Sequence, residues 1–174
     1  WATNLNGNYD EFEQSWIYSP CFDLSGLDRP MLAFQVWYDL APSDGVVFQY
    51  QLAGEQTWTT IGQFDGTNSS GINWYNALSL AGSPGAREEG ASNSANTGWS
   101  NQSPTGVWLD VRHDLDEVAG EQVRFRFAIG SVSEQAETSL GFIFDNFLVG
   151  NRRRNVLLEQ FTSTTAPSEF DQKR

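Results

Sequence analysis

Leu32-Ala33-Phe34-Gln35-Val36-Trp37-Tyr38-Asp39 decides the fold class. Leu32, Phe34, Val36 and Tyr38 fill every second position and alternate with Ala33, Gln35, Trp37 and Asp39, the period of a strand with one face turned to a core. Working outward, Val46, Phe48, Tyr50 and Leu52 alternate with Val47, Gln49 and Gln51, and Ser43-Asp44-Gly45 between the two runs is turn chemistry. The segment 31–52 therefore reads as a hairpin. Val107, Leu109, Val111 and Leu115 alternate with Trp108, Asp110, Arg112 and Asp114, and Val123, Phe125, Phe127 and Ile129 continue the pattern after an acidic turn. Gln14 to Tyr18, Thr57 to Phe64 and Leu140 to Val149 bring the strand count to about seven or more. No amphipathic helical period of useful length intervenes. Many short strands with Gly, Asn and Ser turns predict an all-β chain folded as an antiparallel sandwich or jelly roll.

The 174 residues suit one domain with a substantial core. Aromatic residues make up 14% and the formal net charge is −12, which indicates a folded acidic β protein rather than a disordered one. Residues 1–150 hold five basic against nineteen acidic residues, a balance of −14, while Arg152, Arg153, Arg154, Lys173 and Arg174 supply the remaining cations. Such a surface repels phosphate backbones and anionic headgroups, so nucleic acid and membrane lipids are poor partners and divalent cations or neutral glycans better ones. No run approaches the roughly 18 apolar residues of a membrane span. The chain opens at Trp1 without an initiator Met or a leader, as expected of an excised or processed piece of a larger exported protein. A single Cys21, between Pro20 and Phe22, excludes an internal disulfide and reads as a small buried hydrophobe.

One region breaks the rhythm. Gly66 to Gly106 is rich in Gly, Ser, Asn and Pro, with Ile72 to Tyr75 and Trp99 as apolar anchors. Long loops of this kind are often functional. Trp74, Tyr75 and Trp99 are candidates for a sugar-stacking platform, and the competing reading is that they pin the loop onto the sandwich.

In Gly141-Phe142-Ile143-Phe144-Asp145-Asn146-Phe147-Leu148-Val149-Gly150, apolar on both faces, Asp145 falls where a strand should be driest. A buried carboxylate needs a compensating cation, a basic side chain or hydrogen bonds. Either a metal faces it, or Asp145 and Asn146 cap neighbouring strand ends through backbone N–H groups. Asn4-Leu5-Asn6-Gly7-Asn8-Tyr9-Asp10-Glu11-Phe12-Glu13 places side-chain oxygens at alternate positions and ends in acids, the hard ligands that Ca²⁺ prefers. Its glycine is misplaced for an EF-hand and no helices flank it. Asp10, Glu13, Asp44 and Asp145 form the candidate set for a structural Ca²⁺.

Catalytic constellations are thin. Any Ser-His-Asp or Cys-His arrangement must use His113, whose place in the 107–115 alternation is that of a core-face or strand-end histidine. One His and one Cys cannot assemble a zinc set. No carboxylate pair stands out by spacing, and no Gly-rich run precedes a helix to cradle phosphate.

Glu13 to Leu27, with its core Ser15-Trp16-Ile17-Tyr18-Ser19-Pro20-Cys21-Phe22-Asp23-Leu24-Ser25, then Pro30 to Tyr38, Asp44 to Tyr50, Thr57-Trp58 and the closing Gly141 to Leu148, with its core Gly141-Phe142-Ile143-Phe144-Asp145-Asn146, together resemble the MAM-like jelly-roll modules of large secreted bacterial surface proteins. The resemblance spans about 13 to 150. It implies a concanavalin-like sandwich acting as a non-catalytic extracellular adhesion or accessory module, often with a structural cation. Eukaryotic MAM domains rely on cysteine pairs and this chain has one Cys, so receptor homophilic adhesion is not carried over. Asn155-Val156-Leu157-Leu158-Glu159-Gln160-Phe161-Thr162-Ser163-Thr164 is similar to the opening strand of thioredoxin-like domains that follow such modules. Ala166 and Glu169 stand where the two redox cysteines would be, so dithiol chemistry is not expected.

The expectations are thus a sandwich module over 1–150 and a basic linker with a domain stub, or an extra strand, over 151–174. In function the chain reads as a non-catalytic adhesion or structural module of a secreted or cell-surface protein, stabilised by a cation and contacting a glycan or a cell-surface protein. The alternatives are a carbohydrate-binding accessory module of a secreted polysaccharide-degrading or proteolytic enzyme, and an enzyme in its own right.

Overall fold

A computed structural model describes residues 1–4, 6–87, 90–132 and 139–152. The tail assigned to a linker and thioredoxin-like stub lies outside the described residues beyond Arg152. Eight strands form: β1 (Gln14–Asp23), β2 (Pro30–Asp39), β3 (Gly45–Leu52), β4 (Trp58–Thr60), β5 (Ala91–Ser92), β6 (Leu109–Asp114), β7 (Gln122–Gly130) and β8 (Gly141–Asn151). They make a five-stranded sheet of order β1-β7-β3-β4-β5 and a three-stranded sheet of order β6-β2-β8, antiparallel except for the β4–β5 pair. The all-β sandwich expected from the alternation is the fold observed. Among the described residues no helix is long and apolar enough to cross a membrane.

The core lies between the sheets and is built from the predicted inward positions. Leu32, Phe34, Val36 and Tyr38 are all buried, facing Val46, Phe48, Val123, Phe125 and Phe127 of the opposite sheet. Phe34 sits at the centre of the aromatic packing, with ring centroids 5.2 Å from Phe127 and 5.8 Å from Phe48. The hairpin expected over 31–52 does not form. β2 and β3 belong to opposite sheets, and Leu40–Asp44 carries the chain across the sandwich. Turn residues are required by either connection, so turn chemistry alone does not separate them.

Two β-bulges account for departures from strict alternation. On β8 the register against β2 moves from Gln35↔Asp145 to Ala33↔Leu148, which gives β8 one extra residue, with Asn146 in the left-handed region at φ 54°. Asn tolerates that conformation better than most residues. The extra residue reverses the facing of the strand, so Phe142 and Phe144 before it and Phe147 and Val149 after it all join the core. The same reversal puts Asp145 and Asn146 in solvent.

On β1 the register moves from Tyr18↔Arg126 to Cys21↔Arg124. Phe22 thereby turns inward and Cys21 outward; the thiol is exposed, against the buried position expected of it. The bulge would cost Phe125 its N–H partner, but the Ser19 hydroxyl accepts that hydrogen bond at 2.9 Å.

The 66–106 segment is fastened rather than free. It pairs with the sheets at Ile72↔Arg112 and Val46↔Trp99 and with itself at Ala77↔Gly98, and it passes so close to the end of β7 that a Cβ on Gly82 would fall on the carbonyl oxygen of Gly130. Gly85 and Ser92 of this segment lie over the outer face of β3, where the Gln49 side-chain amide donates to their carbonyls.

Candidate ligand-binding face

The anticipated ligand platform is interior. Trp74, Tyr75 and Trp99 are each 2% exposed or less, in edge-to-face or tilted contact with one another at 4.7–5.3 Å. Trp74 donates to the Ile61 carbonyl and Trp99 to that of Asn73, while the Tyr75 hydroxyl donates to the Phe48 carbonyl and accepts from the Phe48 N–H. These rings pin the loop to the core. With their faces covered they cannot stack on a sugar.

The four candidate cation ligands are divided. Three approach one end of the sandwich. Ser131 accepts from the Glu13 N–H through its side chain and donates to the Asp10 carbonyl, and Glu13 accepts from the Asp10 N–H and the Ser15 hydroxyl. Asp44 is fully buried: its Oδ2 accepts from the Tyr9 hydroxyl at 2.7 Å and its Oδ1 from the Val132 N–H at 2.9 Å. Burial, reinforced by hydrogen bonding to Asp44, holds the Tyr9 phenol protonated well above its ordinary range.

Asp145 is the exception to the expectation of a buried carboxylate. It is exposed on the outer face of β8 opposite Gln35, and its Oδ1 accepts from the Asn146 N–H at 2.8 Å. The bulge removed the desolvation problem that made it a ligand candidate. Among the described residues no three His, Cys, Asp or Glu side chains gather as a metal cluster.

His113 sits half-buried on the core side of β6, its ring 4.6 Å from that of Trp74. Nδ1 faces the Asp114 carbonyl at 2.6 Å, an acceptor only, so Nδ1 bears a hydrogen, and Nε2 lies 2.9 Å from the Ser70 hydroxyl. A backbone carbonyl, not a carboxylate, orients this imidazole.

The concentration of recognition chemistry lies elsewhere, on the outer face of the five-stranded sheet. Outward positions of β1 carry Trp16 and Tyr18, those of β7 carry Arg124 and Arg126, those of β3 carry Gln49 and Gln51, and Trp58 of β4 reaches across them. Tyr18 and Trp58 stack with centroids 5.3 Å apart. The Arg126 guanidinium lies 4.3 Å from the Trp58 ring and 5.4 Å from Trp16, and Nε donates to Gln49 Oε1 at 2.8 Å. That of Arg124 lies 4.8 Å from Tyr18 and 5.2 Å from Trp58, with Nη2 donating to Gln51 Oε1 at 2.6 Å.

No family model matches. No curated protein matches the chain either. The geometry of this face therefore carries the functional argument.

Arg126 and Trp58 are buried, while Trp16 and Tyr18 remain 40% and 42% exposed. A buried layer of rings and guanidinium thus fixes two open aromatic surfaces from below. Each cation–π contact contributes about 0.5–2 kcal/mol and restricts the rings it touches. The residues of this face were present in the sequence as Ser15-Trp16-Ile17-Tyr18 and Val123-Arg124-Phe125-Arg126-Phe127, where the strand period points Trp, Tyr and both arginines away from the core. What the sequence lacked was the strand order that places β1 beside β7 and β7 beside β3.

Proposed function

We propose that the chain is a non-catalytic, MAM-like binding module of an exported or cell-surface protein, and that it holds a glycan against Trp16 and Tyr18. The observation that carries this reading is the pair of open aromatic rings on one sheet face, held by two arginines and by Trp58. Pyranose rings present apolar C–H faces that cover an aromatic ring, while their hydroxyls seek donors and acceptors at its rim. Arg124 and Gln51 stand at that rim. Adhesion to a cell surface follows if the glycan is borne there.

The test is binding to a glycan array by the wild-type chain and by Trp16→Ala and Tyr18→Ala. An aromatic anchor at a binding centre is worth about 2 kcal/mol, so the folded fraction of each variant should bind roughly 30-fold more weakly. Undiminished binding by both variants refutes the assignment to this face.

A further inference from the structure

Resting on that assignment, we infer that the ligand carries a carboxylate: a glycan with an isolated sugar acid on an otherwise neutral chain, the acid paired with Arg124. Only five basic residues lie within 1–150 against nineteen acids, and two of the five stand side by side on this one face. Arg124 is half-buried, held over the Tyr18 and Trp58 rings, and its side-chain hydrogen bond runs from Nη2 to the neutral amide of Gln51. Among the described residues no acidic side chain pairs with it. Its planar fork keeps further N–H donors for a ligand, in an orientation the rings have already fixed, and a carboxylate matches that fork with two parallel hydrogen bonds. Tyr18 stands beside it as the surface on which the acid-bearing ring would lie.

The overall charge sets the kind of acidic glycan. A net charge of −12 opposes a polyanion at long range, where many like charges act together, whereas a single carboxylate gains more from one contact with a preorganised guanidinium than it loses to a diffuse, salt-screened field. A uronic or sialic acid on a neutral backbone satisfies both conditions. A continuous polyuronate does not.

Calorimetric titration of the whole chain tests this with matched probes: glucuronic-acid-substituted against unsubstituted xylo-oligosaccharide, and sialyllactose against lactose. The expected result is at least tenfold tighter binding of one acidic member than of its neutral counterpart, corresponding to a charge-assisted hydrogen-bond pair. Arg124→Gln should abolish the difference, and Arg124→Lys, which keeps charge without the fork, should recover only part of it. Trp16→Ala should weaken acidic and neutral ligands alike. Equal affinity for acidic and neutral members overturns the carboxylate inference and leaves the sugar-binding face standing. If no probe binds and a wider array of acidic and neutral glycans is also negative, both fall. The wild-type comparison decides the matter even if an Arg124 variant fails to fold.

Discussion

Replacing Tyr9 by Phe removes one hydroxyl and deprives two interior groups of a partner. That hydroxyl donates to Asp44 Oδ2 at 2.7 Å and accepts from the Ala41 N–H at 2.9 Å, within a region where Tyr9 and Asp44 are almost wholly excluded from water. A buried polar group left unsatisfied costs about 1–3 kcal/mol, and more when it is charged, so the two losses together are worth about 3–4 kcal/mol. For a domain of this size each kcal/mol moves the midpoint by about 2–4 °C, which gives a fall of roughly 6–16 °C. Asp44→Ala should cost a similar amount, because it strands the Tyr9 hydroxyl and the Val132 N–H. The double variant should be less destabilised than the sum of the two, with a coupling of about 1–3 kcal/mol. Urea and thermal unfolding of the four proteins measure this, with an unchanged m-value confirming that the same surface is exposed in each. If Tyr9→Phe lies within about 0.5 kcal/mol of wild type and the coupling is near zero, the latch joining the N-terminal segment, the 40–44 crossing and the end of β7 is not what holds this end of the sandwich together.

Chelation bears on the same latch: both Asp44 oxygens already accept hydrogen bonds, so EDTA should leave the melting temperature unmoved, whereas a Ca²⁺-bound native state would gain about 2.7 kcal/mol at a hundredfold excess over Kd. A rise of several degrees on adding Ca²⁺ would restore Asp10 and Glu13 to a ligand role. At alkaline pH, burial raises the pKa of Tyr9, Tyr38 and Tyr75, that of Tyr38 to about 12, so the folded state keeps protons that the unfolded chain releases. Stability should be complete below about pH 10 and fall above it, with Tyr38 alone accounting for about 2 kcal/mol by pH 12; denaturant melts that stay flat across that range refute this. Gly130→Ala should destabilise by about 3 kcal/mol or more, because its Cβ would meet the backbone of Gly82 and Pro84 rather than a movable side chain; a loss below 1 kcal/mol in urea melts counts against that close approach. Trp99→Ala should cost about 3–5 kcal/mol of stability while leaving glycan affinity of the folded fraction intact, and a selective loss of affinity would return the 66–106 loop to the binding site.

The fold class was legible because Leu32 to Asp39 and Val123 to Ile129 each keep one apolar face without interruption. Connectivity was not. A turn such as Ser43-Asp44-Gly45 reverses the chain within a sheet or passes it between sheets with the same residues, and the choice depends on which strands flank β3. β7 and β4 do, and β2 is thereby excluded. The bulges were half-legible. Asp145-Asn146 in the middle of an apolar strand is visible as an anomaly, but the sequence leaves open a facing cation or strand-end capping, and the cause is one extra residue. Asn, able to adopt positive φ, is the residue type that such a position favours. For Trp74, Tyr75 and Trp99, long loops with aromatics invite a functional reading, yet an aromatic set among Asn, Gly and Ser also anchors an irregular segment to a core.

The 66–106 loop, expected to carry the ligand, acts on the aromatic–arginine face indirectly. By covering the outer side of β3 it makes Gln49 an interior residue, and Gln49 in turn fixes Arg126 beneath Trp58. Without that cover the layer under the open rings would be hydrated and the rings free to rotate. The bulge on β1 works from the opposite side: by taking up one residue it turns Phe22 into the core and sets Cys21, rather than Pro20, beside Arg124. The neighbouring Arg124 is the guanidinium of this face that remains half-buried, that of Arg126 being wholly enclosed. Both irregularities, a long loop and an extra residue, act on the same face of the five-stranded sheet, and that convergence is why the aromatic–arginine face is better explained as a built surface than as an incidental cluster.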